Sequence, residues 1–118
     1  MRRNLPAYLW DIERAAHNIQ SFTEHKELSD YQNNAMLRAA VEREFEIIGE
    51  ALAQALRLYP ELAGRISNSQ QIIAFRNQLI HGYATVRDAT VWDIVQTDLP
   101  VLRQQAADLL REAEEGRK

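Results

Sequence analysis

Apolar residues return at three- and four-residue steps along nearly the whole chain, the pattern of amphipathic helices sharing one core. Leu9, Ile12, Ala16 and Ile19 mark a first helix over residues 6–22. Asn4 is its expected cap, and Pro6 is tolerated in a first turn, where a missing N–H has no intrahelical partner to lose. A polar connection at 24–28 leads to Ser29-Asp30-Tyr31-Gln32, which has the form of a capping box and predicts the start of the longest helix. Its stripe, Leu37, Val41, Phe45, Ile48, Leu52, Ala55 and Tyr59, keeps the helical period. Tyr59-Pro60 ends it, because the residue before a proline is pushed out of the α region.

A connection at 61–68, with room for a short helical turn, runs into a second box, Ser67-Asn68-Ser69-Gln70. The third helix then extends to about His81, with Ile72, Phe75 and Leu79 on one face and Ile73 and Ile80 beside it. Gly82 suits the left-handed position that closes a helix. Asp88 is the expected cap of a last helix over 89–114, whose stripe is Trp92, Val95, Leu99, Leu102, Ala106 and Leu109, with a kink at Pro100. Gly49 interrupts good helix formers at a cost of about 1 kcal/mol against Ala, which points to another helix approaching closely there.

The absence of any strand pattern, internal repeat or low-complexity segment completes an all-α expectation. Residues 1–118 form one domain, an antiparallel bundle of four to five helices, with 114–118 frayed. The composition, 46% hydrophobic and 26% charged, is ordinary for a globular chain. The lack of cysteine excludes disulfides, thiolate metal sites and a cysteine nucleophile, and fits a reducing cytoplasm. No apolar run approaches the roughly 20 residues of a membrane span. Arg2 and Arg3 are not followed by the apolar stretch of a secretory signal. A cytoplasmic protein with no membrane role is therefore expected. The net charge of −3 is opposite in sign to that of most nucleic-acid binders. Any such role would rest on a local positive site.

One stretch concentrates chemistry: Phe75-Arg76-Asn77-Gln78-Leu79-Ile80-His81-Gly82-Tyr83. Arginine offers a planar fork of donors that fits phosphate oxygens, and histidine can take and give a proton near neutral pH. Phe75, Leu79 and Ile80 look like anchors to the core. Asn77 and His81, four apart, share a helix face. Arg76 and His81 lie about 140° apart around the helix and can meet only on a ligand near its end. That end is the carbonyl pole of the helix dipole, which favours a positive charge on His81. Two readings of these residues stand side by side. In one they form a phosphate-handling site. In the other Arg76 pairs with a glutamate of the long helix and His81 caps exposed carbonyls. Glu42, Glu46 and Glu50 recur every four residues on that helix, either as a solvated face or with one member turned toward Arg76. His17, His25 and His81 are too scattered for a metal site, and no HxxxH or HxxE pair occurs. No glycine-rich phosphate loop or GxSxG elbow is present.

Residues 76–83 resemble the Arg-x4-His-x-Tyr signature of HepT-like toxins of the HEPN (higher eukaryotes and prokaryotes nucleotide-binding) superfamily. Glu46-Ile47-Ile48-Gly49-Glu50-Ala51 is similar to that family's IGEA segment, and Val91-Trp92-Asp93-Ile94-Val95 with Asp98-Leu99-Pro100 to its last helix. The resemblance implies a dimerising helical fold and a metal-independent endoribonuclease without cofactor. Arg76, Asn77 and His81 would be its catalytic residues, with Glu46 or Glu50 supporting Arg76 from behind. It also implies an MntA-like nucleotidyltransferase antitoxin, which silences the toxin by transferring AMP to Tyr83 and could join it in a higher complex. The alternative is a non-catalytic helical partner that presents nucleotide or substrate to such a transferase. A third reading makes Arg76 and His81 interface residues of a purely structural dimer.

Overall fold

Asn4 starts the first helix as expected: its side chain accepts the N–H of Ala7 at 3.2 Å, and α1 runs Leu5–Thr23. The computed structural model describes residues 4–82 and 86–116. Leu9, Ile12, Ala16 and Ile19 are fully buried, so the helical stripe of the sequence is the core face of α1. Thr23 closes the helix by turning its hydroxyl back onto the carbonyl of Ile19 at 2.8 Å.

The expected start of the long helix is corrected here. The box is built two residues earlier, from Glu27 and Asp30, whose carboxylate accepts the N–H of Glu27 at 2.7 Å. It opens a short separate helix, α2 (Leu28–Gln32). The break follows from two asparagines, whose amides compete with the backbone for its own hydrogen bonds. Asn33 Nδ2 donates to the carbonyl of Ser29 at 2.8 Å, and Asn34 Oδ1 accepts the N–H of Leu37 at 3.0 Å. Asn34 thereby caps α3 (Ala35–Leu58), and Arg38 reaches back to the last carbonyls of α2, Gln32 at 2.5 Å and Tyr31 at 3.3 Å.

The stripe of α3 from Leu37 to Ala55 is buried, with Tyr59 as C-cap at its partly covered end. Pro60–Gly64 forms a 3₁₀ turn, and α4 (Ser69–His81) follows. The second expected box does not form. Ser67 is drawn to Gln105 instead, and Asn68 Nδ2 donates to the carbonyl of Asp98 at 3.2 Å. Gly82 closes α4 at φ 63°, and its N–H reaches the carbonyl of Gln78.

The last helix comes in three pieces: α5 (Asp88–Asp93), a π-helical turn (Ile94–Asp98) and α6 (Leu99–Glu115). Arg87, in extended backbone, is the N-cap, so Asp88 is the first helical residue and its carboxylate sits in the first turn. Pro100 brings no N–H to the ladder, and the turn before it widens. Leu99 N–H bonds Ile94 O, and the hydroxyl of Thr97 donates to the carbonyl of Asp93 at 2.7 Å. The proline is absorbed as a π turn, a recognised way to disturb a helix without ending it.

Cross-links fix how the helices run. Asn18 on α1 holds Glu44 on α3 at 2.6 Å, while Tyr8 and Asp11 share a groove with Glu50 and Gln54. α1 and α3 are therefore antiparallel. Arg103 on α6 reaches both Glu13 and Gln20, and Arg65 pairs with Glu112 near the far end. α1 packs on both α3 and α6, and α4 packs on α3. α1 and α4 finish at the same end of the bundle. No helix is long and apolar enough to cross a membrane among the described residues.

At that end Tyr31 is fully buried against Trp92, ring centroids 5.7 Å apart, and its hydroxyl has no partner among the described residues. Burial, then the nearby Glu42 and Asp88, push the phenol well above its ordinary range. Partial burial, Asp88 and Glu46 likewise push the Glu42 carboxyl up. A carboxyl raised in the folded state stabilises the fold while protonated, and that contribution is lost as pH rises through its folded pKa. Glu42→Gln is accordingly expected to raise the unfolding midpoint at neutral pH and to flatten the fall in stability above the carboxylate range. Urea titrations of both proteins across pH read this directly, and parallel profiles would contradict it.

Candidate active site

Phe75 anchors the stretch at 75–83. It is buried and meets Phe45 of α3 edge to face, centroids 5.1 Å apart and planes at 85°. That contact fixes the rotation of α4, and 100° steps then assign each following side chain its direction. Leu79 falls on the covered side. Ile80 does not: it is 46% exposed, which corrects its reading as an anchor. α4 is covered from one side by α3, so its buried face is too narrow to take in Ile80.

Arg76 comes next to Phe75 and points at α3. Its side chain is only 15% exposed and lies over Gly49. A Cβ built on Gly49 would stand 2.4 Å from Cβ and from Cγ of Arg76, and 3.0 Å from Nε. The close approach expected at Gly49 is thus the seat of one particular arginine. Arg76 Nη2 stands 3.7 Å from Glu50 Oε2, an ion pair longer than a hydrogen bond. Glu50 Oε1 also accepts Gln54 Nε2 at 3.2 Å, which steadies the carboxylate. Arg76 Nε is buried with no hydrogen-bond partner among the described residues. A buried donor left unmatched is costly, so its place in the structure calls for an explanation.

The glutamate row divides between several partners. Glu50 faces Arg76, whereas Glu46 pairs with Arg43 at 3.5 Å, one turn away. Both line an open groove of about 420 Å³ between α3 and Tyr8 and Asp11 of α1. Asn77 and His81 are exposed on the other side of α4, on one face as their spacing requires. His81 is the last helical residue before Gly82. The structure brings Arg76, Gly49, Glu50 and Gln54 together and leaves Glu46 with Arg43. Asn77 and His81 face outward, away from that cluster. Tyr83 lies outside the described residues. Gln54, which steadies Glu50, is not marked out by the sequence. Its only signal there is the four-residue step from Glu50. Among the described residues no three histidine, aspartate or glutamate side chains are grouped as metal ligands.

The arrangement holds a guanidinium at a fixed place, nearly buried and faced by Glu50, on a helix whose end carries an imidazole. The family described as "Ribonuclease HepT-like" matches residues 12–109. The chain is 34% identical over 107 residues to "Probable ribonuclease HepT" of Thermococcus cleftensis, covering 87% of this chain and 93% of that one. It is 32% identical over 104 residues to "Putative RNase MJ1380" of Methanocaldococcus jannaschii, covering 88% and 94%. No solved structure matches it with significance.

Gly49→Ala tests the seat. The clashing atoms are the root of the arginine side chain, which no rotamer change removes, so α3 and α4 must part. Alanine gains about 1 kcal/mol of helix propensity, against about 1–3 kcal/mol for overpacking. A lowered urea midpoint is expected, and a raised one would show that the helices separate freely.

Proposed function

The chain belongs to the HepT-like ribonuclease family and is an endoribonuclease by that membership, and on that premise we propose that residues 76–83 are its catalytic segment and that it serves as the toxin of a toxin–antitoxin pair. The observation that carries the site is the seating of Arg76. A glycine stands where α3 meets α4, and the arginine placed over it is nearly buried and faced by Glu50. Nothing in ordinary helix packing asks for an arginine there.

RNA brings its own nucleophile. The 2′-OH attacks the adjacent phosphorus, the bond to the 5′-oxygen breaks, and the products are a 2′,3′-cyclic phosphate and a 5′-OH. His81 takes the proton from the 2′-OH or gives one to the leaving oxygen. Arg76 offsets the negative charge that builds on the phosphorane, often the largest electrostatic contribution to such a step. Its pairing with Glu50 at 3.7 Å is loose enough to leave donors for phosphate oxygens. Asn77 orients His81 or a phosphate oxygen, and Glu50, with Glu46 further along the row, positions the cation from behind. The step needs no cofactor and no metal in this reading.

One chain supplies one His81, and the reaction uses both a base and an acid. A homodimer that brings two segments together supplies both. Ile80, exposed beside His81, offers apolar surface for such a contact. Pairing would also deepen a positive site in a chain of net charge −3. The antitoxin in this reading is an MntA-like nucleotidyltransferase that transfers AMP to Tyr83 in the cytoplasm. The adduct would add bulk and negative charge two residues from His81, repelling RNA. The net acidity also suits the alternative, a non-catalytic partner of that transferase, which would bind it without cutting RNA.

Purified protein is expected to cleave RNA in EDTA, and Arg76→Ala and His81→Ala to reduce cleavage by about 10²–10⁴-fold each, with helical circular dichroism retained. Cleavage persisting in both variants would sink the assignment. Incubation with the transferase and ATP should add AMP mass increments to the wild type and none to Tyr83→Phe. Equal increments on both would move the modification elsewhere.

A further inference from the structure

Gln54 stands one turn after Glu50 on α3 and is the middle link of a chain that runs from Arg57 to Arg76. Arg57 Nη2 donates to Gln54 Oε1, so the amide turns its NH2 toward Glu50, where Nε2 donates to Oε1 at 3.2 Å. The other carboxylate oxygen, Oε2, stands 3.7 Å from Arg76 Nη2. We propose that Gln54 is a positioning residue of the ribonuclease site. It holds Glu50 by one oxygen, keeps that carboxylate from closing on Arg76, and so leaves the guanidinium able to take a substrate phosphate. The proposal rests on the ribonuclease reading above.

A carboxylate free to move beside a guanidinium closes on it. Such pairs settle at about 2.7–2.9 Å and are often bidentate, with two N–H donors used up. Here the gap is wider, although Arg76 Nε is buried with no partner among the described residues. Arg76 cannot be the member that holds back, because the root of its side chain is seated over Gly49. Nor do the surroundings draw Glu50 away. Asp11 and Glu46 line the groove in which it stands, and like charge at its flanks favours movement toward the cation. Among the described residues, the hydrogen bond that restrains the Glu50 side chain comes from Gln54.

A similar pair on α6 shows what sets this one apart. Gln104 Nε2 donates to Asp108 Oδ1 at 2.9 Å, and Asp108 faces Arg111 at 3.3 Å. That arginine is 63% exposed and lies on its own helix, whereas Arg76 crosses from α4 and is 15% exposed. Only at Glu50 does a surface amide govern the partner of a seated cation. The size of the effect follows from solvation. The Glu50 side chain is 63% exposed, and exposed ion pairs are weak, so the competition with RNA is modest. A phosphate that reaches Arg76 displaces Glu50 whether or not Gln54 holds it. The competition is therefore felt before RNA binds and vanishes at saturation.

Gln54→Met keeps the length and helix propensity of the side chain and removes the donor. In RNA cleavage by the full chain it should raise KM about two- to fivefold, the range that exposed ion pairs span, at unchanged kcat. Loss of folded protein would instead lower kcat at constant KM. In a Glu50→Gln background the same substitution should leave KM in place, since an uncharged partner does not compete. Gln104→Met controls for the loss of a surface amide and should match the wild type. An unchanged KM in Gln54→Met, or an equal rise in both backgrounds, would overturn the proposal. The guanidinium NMR signals of Arg76 decide it without RNA. Rotation of the group should slow in Gln54→Met, as the pair closes, and recover when Glu50→Gln is added. Identical signals in the wild type and Gln54→Met would sink the positioning role. Failure of the wild type to cut RNA would remove the ribonuclease reading, while these signals still show whether Gln54 holds Glu50 off.

Discussion

The contact between Gly49 and Arg76 is the constraint from which the geometry of the proposed site follows. Two helices carrying ordinary side chains stand about 8–10 Å apart, and a Cβ at position 49 would run into the root of Arg76. Removing that one carbon lets an arginine lie in the interface and places the next residue, Glu50, against its guanidinium. The Phe45–Phe75 contact beside it sets the rotation of α4. With the arginine inward and the rotation fixed, helical geometry carries Asn77 and His81 to the outer surface, and Gly82 ends the helix just after them. Two side chains of the proposed site, about 140° apart on one helix, thus lie in different layers, one seated in the bundle and one presented to solvent.

The second constraint is Pro100. In a regular α-helix its missing N–H would leave a carbonyl one turn back unmatched. Here the chain widens into a π turn, and the consequences reach two other elements. Asn68, at the start of α4, bonds the carbonyl of Asp98, so the base of the proposed catalytic helix is tied to that irregular turn. On its other side the same turn shapes an open polar groove against α1. One backbone irregularity therefore touches both the base of the proposed catalytic helix and the surface beside α1.

Much of this was legible in the order of residues. The stripes Leu9–Ile19, Leu37–Ala55 and Leu99–Leu109 are buried as their period required, because helical spacing alone decides which positions share a face. Asn4, Gly82 and Tyr59-Pro60 mark boundaries through local sterics and local hydrogen bonds, and they fall where those rules place them. The failures also share a cause. Ser29 and Ser67 looked like caps, but Glu27 and Asn34 took the capping bonds around α2, and Ser67 was claimed by Gln105 from a distant helix. Ile80 looked like core, yet its burial depended on how many elements would pack against α4.

The sequence by itself determined an all-helical chain, the phase of each helix, and the segment where an arginine, an amide and a histidine fall within one and a half turns. It also marked Gly49 as a point of close approach, since a glycine among good helix formers costs stability unless something lies against it. Which residue lies there, and which of three equally spaced glutamates answers it, only the tertiary structure decided. Those choices turn on the crossing of α3 and α4, a relation between residues 27 positions apart that no local periodicity encodes. The groove at the π turn is of the same kind: Lys26 and Gln96 become neighbours because α1 and α6 pack together, and nothing in either segment announces the other.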